Sequence, residues 1–176
     1  MCSENFLNVI RKITGVQNLY PDYGLHGGGW HMHNRGGKLN VHKDYDVHPK
    51  LELQRKFNLI VYLSQEWKPE WEGALELWSH DYEKNKPKEK VVDVQIKFNR
   101  AILFDTSQNS WHGLPKKINC PEGYFRKSLA VYYLTDVDDD TGDRKRALFA
   151  PYGDQEKDED VLKFIENRCK LTEYMK

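Results

Sequence analysis

Between residues 39 and 135, hydrophobic and polar residues alternate in short runs rich in β-forming residues. Alternation with a period of two is typical of strands with one face on the core and the other toward solvent. The predicted strands span 38–44, 56–63, 74–78, 91–97, 100–105 and 126–134. Polar, turn-forming pieces separate them at 64–73, 82–90 and 106–125. Short strands joined by polar turns predict a β-sandwich or barrel.

Helical periodicity flanks this β region at both ends of the chain. Residues 3–14 carry Phe6, Val9, Ile10 and Ile13 at helical spacing, between a Ser3 N-cap and Gly15. Residues 157–171 carry a second such set, made of Val161, Leu162, Phe164, Ile165 and Leu171. We therefore expect a short helix before the β region and another after it.

The segments between the β region and the helices have different compositions. The glycine-rich stretch 21–38 predicts loops and tight turns. Residues 136–146, first acidic and then basic, predict a solvated loop. We expect one domain over 1–176, with a barrel core at about 39–135 and a C-terminal loop and helix at 136–176.

Composition excludes several classes of protein. The 176 residues include 27 Lys and Arg against 27 Asp and Glu, without the basic excess of a dedicated nucleic-acid binder. No run approaches the ~18 apolar residues of a membrane span, and no signal-peptide pattern opens the chain. The three cysteines, Cys2, Cys120 and Cys169, are far apart and form no CxxC pair. These features predict a cytoplasmic protein with reduced thiols.

His42 and Asp44 form the first chemical signal. Residues two apart on a strand project from one face, so an imidazole and a carboxylate there can reach one ion. His112 supplies a third ligand of the right type further along the chain. Two histidines and one carboxylate that leave open positions on the metal are the arrangement of non-haem Fe(II) oxygenases.

The strand that begins at Arg126 predicts a site for an anion. Alternation places Arg126, Ser128, Ala130 and Tyr132 on one face of this strand. The planar guanidinium of arginine binds carboxylates through two parallel hydrogen bonds. Strand 56–63 has a similar mixed face, with Asn58 and Tyr62 opposite a fully apolar one. We predict that the apolar face packs and that the mixed face lines a site.

These motifs resemble the 2-oxoglutarate- and Fe(II)-dependent dioxygenases, specifically the prolyl 4-hydroxylase-like branch. The resemblance covers about 39–134 and follows the family's order of motifs. It consists of VHKD (41–44), NLIVYLSQEW (58–67), EGALELW (72–78), FNRAILFDTSQNSWHGLP (98–115) and FRKSLAVYY (125–133). It implies a double-stranded β-helix, the jelly-roll or cupin-like barrel, with flanking helices.

The resemblance also implies the cofactors and their ligands. Fe(II) would be held by His42, Asp44 and His112, and Arg126 would bind the far carboxylate of 2-oxoglutarate. Tyr62, and either Asn58 or Ser128, would assist that arginine. The implied reaction hydroxylates a C–H bond with O₂ and converts 2-oxoglutarate to succinate and CO₂; ascorbate would stimulate it.

The sequence departs from the family pattern in two places. Arg126 stands where collagen-type prolyl hydroxylases usually have lysine. The tyrosine that often precedes HxD by about ten residues is absent, so its role passes to His31 or His33, or is unfilled. Trp30, His31, His33 and Trp111 are candidate substrate contacts, and the alternative for the glycine-rich stretch is a surface turn whose aromatic residues pack on the barrel rim.

Three functions stay open at this point. The first is hydroxylation of a prolyl residue or another amino acid, in a protein, a peptide or free. The second is the same chemistry on a small molecule, sugar or nucleobase; repair dioxygenases for alkylated bases carry a second arginine where this chain has Tyr132. The third is a jelly-roll binding module without catalysis, because one fold hosts many functions.

Overall fold

The computed structural model describes residues 1–107 and 109–170. Within them, α1 spans Glu4–Thr14 and α2 spans Glu159–Lys170, with short 3-10 helices at Pro69–Trp71 and Gly153–Lys157. The strands are β1 Tyr20–Pro21, β2 Gly29–His33, β3 Leu39–Lys43, β4 Gln54–Tyr62, β5 Leu75–Asp81, β6 Lys86–Val94, β7 Ala101–Asp105, β8 Trp111–Leu114, β9 Arg126–Thr135 and β10 Leu148–Phe149. The prediction of a mainly β chain with a helix at each end is confirmed.

The strands form two antiparallel sheets. In the first, β1 and β2 both pair with β9, and β4 and β7 follow on its other side. The order in the second sheet is β10-β3-β8-β5-β6. Non-consecutive strands are neighbours in both sheets, so residues distant in sequence meet in the fold. Such crossovers are typical of jelly-roll topologies.

The first helix begins and ends where its sequence predicts. The Ser3 hydroxyl accepts a hydrogen bond from the amide of Phe6, and Gly15 ends the helix in the left-handed conformation with φ of 77°. Its buried residues Leu7 and Ile10 pack on the first sheet, where they join a cluster containing Leu19, Phe57, Leu59, Val131 and Tyr133. The apolar face of β4 is therefore covered, as alternation along that strand predicted.

The space between the sheets holds a second apolar cluster beside a polar cavity. The buried cluster contains Ile60, Tyr62, Leu75, Ile96, Phe104, Leu114 and Ala130, drawn from both sheets. Asn58 and Ile60, on the mixed face of β4, line the adjacent cavity. The fold thus leaves the mixed faces of β4 and β9 facing the second sheet.

Two predicted loop regions contain strands. Strand β2 lies inside the glycine-rich stretch 21–38, because Gly29–His33 pairs with residues 126–130 of β9. Strand β8 lies inside 106–125 and brings His112 into the second sheet. Both strands are short and depend on pairing with distant strands, which local composition does not report.

Strand β6 is last in its sheet and begins earlier than predicted. Residues 86–90 belong to the strand and not to the turn, and the strand ends at Val94 before the predicted end at 97. Most of its residues are exposed, and Lys86, Lys88, Glu89 and Lys90 are charged. Pro87 is tolerated in a terminal strand, where no further strand needs its missing amide hydrogen.

The C-terminal region folds back on the second sheet. Residues 136–146 have no helix or strand, as predicted, yet Arg144 is half-buried and not simply solvated. Its Nε donates to the carbonyl of Asp44 at 2.6 Å, and its amide donates to Asp46 Oδ2 at 2.9 Å. The predicted helix is present as α2, although Leu171 lies outside the described residues. Neither described helix has the length and apolar character needed to cross a bilayer.

Candidate metal centre

Strands β3 and β8 bring the two candidate histidines together. His42 and His112 occupy directly opposed positions of the antiparallel pair, and Asp44 follows the end of β3. All three residues are buried, and one ligand atom from each lies within 4.8 Å of the others. Among the described residues, this is the one group of His, Cys, Asp or Glu with such convergence.

The hydrogen bonds of the two imidazoles determine which ring nitrogen of each histidine is free to bind a metal. Nδ1 of His42 lies 2.9 Å from the carbonyl oxygen of Asn40, and Nδ1 of His112 lies 3.0 Å from that of Ser110. A carbonyl oxygen only accepts, so Nδ1 carries the hydrogen in each ring. Burial, and then the neighbouring His112, lower the pKa of His42 to about 4. The Nε2 atom of neutral His42 therefore presents a lone pair.

These nitrogens face the carboxylate of Asp44. His42 Nε2 lies 3.7 Å from Oδ1, and His112 Nε2 lies 3.5 Å from Oδ2. Asp44 Oδ2 is buried and has no hydrogen-bond partner among the described residues. Buried lone pairs that face one another are unfavourable unless a cation lies between them. The nitrogen and oxygen donors suit a divalent iron ion, so these residues fit the metal implied by the sequence resemblance.

Arg55 contacts this centre, although its position was not predicted from the sequence. Its Nη1 lies 3.2 Å from Asp44 Oδ1. Burial, the largest influence, raises the pKa of the Asp44 carboxyl, but the combined cations, led by Arg55, hold it below the usual value. Strict alternation assigns Arg55 to the apolar face with Phe57. A register irregularity between these two residues instead turns Arg55 toward the metal centre.

A cavity between the sheets extends from His42 and His112 to the buried guanidinium of Arg126. Arg126 is 2% exposed. Its Nε donates to the carbonyl of Gly73 at 2.8 Å, and its Nη1 donates to the Ser128 hydroxyl at 3.3 Å. Burial lowers the pKa of Arg126, which the adjacent Tyr62 partly offsets. No carboxylate of the described residues forms an ion pair with this cation, an unusual state for a buried charge.

Several polar atoms near Arg126 are buried without a hydrogen-bond partner in the described structure: Tyr62 Oη, Asn58 Oδ1 and His33 Nδ1. Arg126 Cζ lies 5.2 Å from the centre of the Tyr62 ring. Tyr62 and Arg126 are close enough to influence each other's pKa, but the tyrosine hydroxyl forms no hydrogen bond of acceptable geometry. Unpaired buried polar groups are costly and indicate a place for a polar ligand.

Three of the four candidate substrate contacts lie on β2, and the fourth, Trp111, lies on β8. His31 and His33 line the cavity, paired across the sheet with Ser128 and Arg126. Burial, followed by the charge of Arg126, lowers the pKa of both histidines. Trp30 is 72% exposed on the opposite face of β2. Trp111, next to the ligand His112, packs with Val41 and Ala150.

Neither tryptophan lines the cavity, so of the four candidate substrate contacts the cavity brings together His31 and His33. The physical reason is the period of the strand, because each tryptophan neighbours a cavity-lining histidine and so points to the other face. The same period places His31 and His33 inward. The sequence GWHMH contained this signal, but the surrounding glycines favoured a loop.

The protein is thus β-rich, with two facing sheets and a His-Asp-His cluster of the donor types that Fe(II) oxygenases use. A sequence profile of the 2OG-Fe(II) oxygenase superfamily matches residues 28–134, well over half of the chain. The chain belongs to this superfamily. The matched segment contains β2 through most of β9, and so every residue of the metal centre and of the Arg126 subsite.

Two prolyl 4-hydroxylases are among the solved structures that match this chain. The one from Pseudomonas putida is 15% identical, with a TM-score of 0.46, over 76% of this chain and 61% of that chain. The one from Phytophthora capsici is 17% identical, with a TM-score of 0.47, over 96% of this chain and 50% of that chain. The chain thus spans half to three fifths of these relatives' lengths. No curated protein matches it.

Proposed function

We propose that this protein is an Fe(II)- and 2-oxoglutarate-dependent oxygenase that hydroxylates a C–H bond, with His42, Asp44 and His112 as its iron ligands. The observation that carries the proposal is the convergence of two imidazole nitrogens on the buried carboxylate of Asp44, whose Oδ2 has no hydrogen-bond partner among the described residues. Membership of the superfamily supports the choice of iron. The facing antiparallel sheets support a double-stranded β-helix as the finer description of the fold.

Arg126 is the proposed partner of the far carboxylate of 2-oxoglutarate. It offers a buried positive charge at one end of the cavity, whose other end contains His42 and His112. A dicarboxylate would neutralise this charge and supply acceptors for unpaired donors. Tyr62, Asn58 and Ser128 are the proposed assisting groups, and His33 is the proposed substitute for the tyrosine that the family often has upstream of HxD. Its unpaired Nδ1 makes it a better candidate for that role than His31.

Bound iron and 2-oxoglutarate would supply the oxidising chemistry, with loss of CO₂ and formation of succinate. The protein's part is to hold the ligands in fixed orientations and to exclude water. The carbonyls of Asn40 and Ser110 keep the hydrogens of His42 and His112 on Nδ1, which leaves Nε2 free for the metal. The low exposure of the ligand residues limits access of solvent to the centre.

A prolyl residue or another amino acid is the proposed substrate, because the motif order resembles the prolyl hydroxylase-like branch. Incubation with prolyl peptides, Fe(II), ascorbate and 2-oxoglutarate should release succinate and add the mass of one oxygen atom to a peptide. Succinate release that depends on a small molecule, with unmodified peptides, would instead support the second substrate class.

Anaerobic titration tests the reaction class before any substrate is known. Fe(II) and 2-oxoglutarate together should produce a weak visible metal-to-ligand band in the parent protein. Asp44→Ala should abolish the band, and Glu89→Ala, an exposed acidic residue on β6, should retain it. A parent protein without the band, and a His42→Ala variant indistinguishable from it, would identify a binding module without this catalysis.

A further inference from the structure

Arg55 is among the most deeply buried side chains of the protein. Only 2% of its surface is exposed, and its guanidinium lies between two aromatic rings. The Cζ atom is 3.3 Å from the centre of the Tyr132 ring and 4.0 Å from that of Tyr45. Planar guanidinium groups stack on aromatic faces in this way, which restricts the plane of the cation.

Hydrogen bonds fix the rotation of the cation within that plane. Nη2 of Arg55 donates to the carbonyl of His26 at 3.2 Å, and the Tyr45 hydroxyl donates to the same oxygen at 3.1 Å. Nη1 lies 3.2 Å from Asp44 Oδ1, and Nε has no hydrogen-bond partner among the described residues. Within the described chain, Asp44 is the one carboxylate that pairs with Arg55. The cation is therefore held in place independently of any metal.

The two oxygens of Asp44 consequently have different surroundings. Oδ1 lies 3.7 Å from His42 Nε2 and is paired with Arg55, whereas Oδ2 lies 3.5 Å from His112 Nε2 and has no hydrogen-bond partner among the described residues. We propose that Arg55 is a positioning residue that withholds Oδ1 from the metal, so that Asp44 binds through Oδ2 alone. This inference rests on the proposed function and deepens it.

One-oxygen binding has a direct consequence for the reaction. Two histidines and one carboxylate oxygen would occupy three of the six positions on the metal and would leave three for 2-oxoglutarate and O₂. A carboxylate that bound through both oxygens would occupy a fourth position, and the co-substrate and O₂ would then compete for the remaining two. Arg55 would thereby act on the number of open positions without contacting the metal itself.

Co(II) substitution tests this role, because the visible bands of Co(II) respond to which atoms bind the metal and how they are arranged, and they do not require turnover. We compare the parent, Arg55→Met, Arg55→Lys and the control Arg35→Met, which alters an exposed arginine after β2. Arg55→Met should weaken Co(II) binding by roughly 10- to 100-fold, the usual effect of removing a partner of a metal ligand. It should also change the band intensities of the metal-loaded protein. Arg55→Lys should restore part of the affinity, and Arg35→Met should match the parent.

The outcomes separate this inference from the proposed function. If the parent binds no Co(II), the metal site itself is refuted. If the parent binds it and both Arg55 variants retain its affinity and spectrum, the positioning role alone is refuted. Should Arg55→Met fail to fold, the Arg55→Lys spectrum decides: the parental band intensities would contradict the role, and altered intensities would support it.

Discussion

His42 on β3 and His112 on β8 oppose each other directly across an antiparallel pair, with ring centres 4.5 Å apart. A metal held by both rings and by Asp44 would join two strands that are 70 residues apart in the sequence. A ligand that binds the folded state and not the unfolded state stabilises a protein by RT ln(1 + [L]/Kd), where [L] is the free ligand concentration. The metal should therefore increase resistance to unfolding as well as enable chemistry.

Metal addition should raise the free energy of unfolding by about 3 kcal/mol at a free-metal concentration of ~100 times Kd. His112→Ala should remove this increase because it removes a ligand. His80→Ala, which alters a histidine outside the cluster, should keep it. Urea unfolding with and without Co(II) measures the difference. Equal metal stabilisation of parent and His112→Ala would contradict the assigned ligand.

Arg126 variants should lose affinity for 2-oxoglutarate while retaining the metal. Arg126→Gln removes the charge and should weaken binding by about 100-fold; Arg126→Lys keeps the charge without the planar fork and should weaken it by about 10-fold. Calorimetry with the Co(II)-loaded protein measures both. Lys127→Gln, the exposed neighbour on the other face of β9, is the matched control. Unchanged affinity in Arg126→Gln would exclude the proposed subsite.

His33→Ala tests whether this histidine replaces the usual tyrosine. Its buried Nδ1 lacks a partner in the described structure, and a bound carboxylate would provide one. Loss of one such hydrogen bond should weaken 2-oxoglutarate binding by about 5- to 10-fold. Met32→Ala, on the exposed face of the same strand, should have no effect. Equal 2-oxoglutarate affinities in the two variants would show that His33 does not take the place of the tyrosine.

Acid should destabilise the metal-free protein through His42. Its pKa is about 4 in the fold, against 6.5 as the ordinary value, so the native state disfavours its protonation. The stability that neutral His42 contributes is therefore fully present above about pH 6.5. This contribution falls as the pH drops and is lost below about pH 4. The contribution between pH 7 and 5 is about 2 kcal/mol. Urea unfolding at both pH values should show this loss, and His42→Asn should reduce it; a stability that rises with acidification would contradict the assignment.

The contact of α1 with the first sheet should contribute strongly to stability. Ile10 is 3% exposed within the cluster beneath the helix, whereas Ile13 is 69% exposed on the same helix. Ile10→Ala should cost about 2–4 kcal/mol of unfolding free energy, and Ile13→Ala under about 0.5 kcal/mol. Thermal or urea unfolding compares the two. Similar losses would mean that the helix does not pack on the sheet as described.

Periodicity was sufficient for the features that depend on local sequence. The caps of α1 and the mixed faces of β4 and β9 follow from residue spacing alone, and HxD spacing brought His42 and Asp44 to one place. The pairing of His42 with His112 needed more, because β8 has four residues and lies in a turn-rich region. Its existence depends on β3 and β5, which flank it in the sheet. The order of family motifs, and not local propensity, indicated His112.

Arg55 was missed for a different reason. A strand of perfect alternation assigns it to the face of Phe57 and Leu59, where it would lie against α1. The register irregularity after Arg55 reverses that assignment, and no residue in QRKF signals such a shift. Irregular pairing arises from the partner strand and the surrounding packing. The positions of Trp30 and Trp111 have the opposite cause, since regular alternation holds at both and directs them away from the cavity.

The charged residues of β6 affect how the protein behaves among its own copies. A terminal strand exposes unpaired backbone groups to which another chain can add a strand, the usual first step of sheet-to-sheet aggregation. The three lysines of β6 would repel the same lysines of a second copy that paired with this strand. Pro87 has no amide hydrogen, so it would interrupt the hydrogen bonds between the two strands. Strand β6, which contributes no residue to the metal centre, would thereby help to keep the protein from aggregating at high concentration.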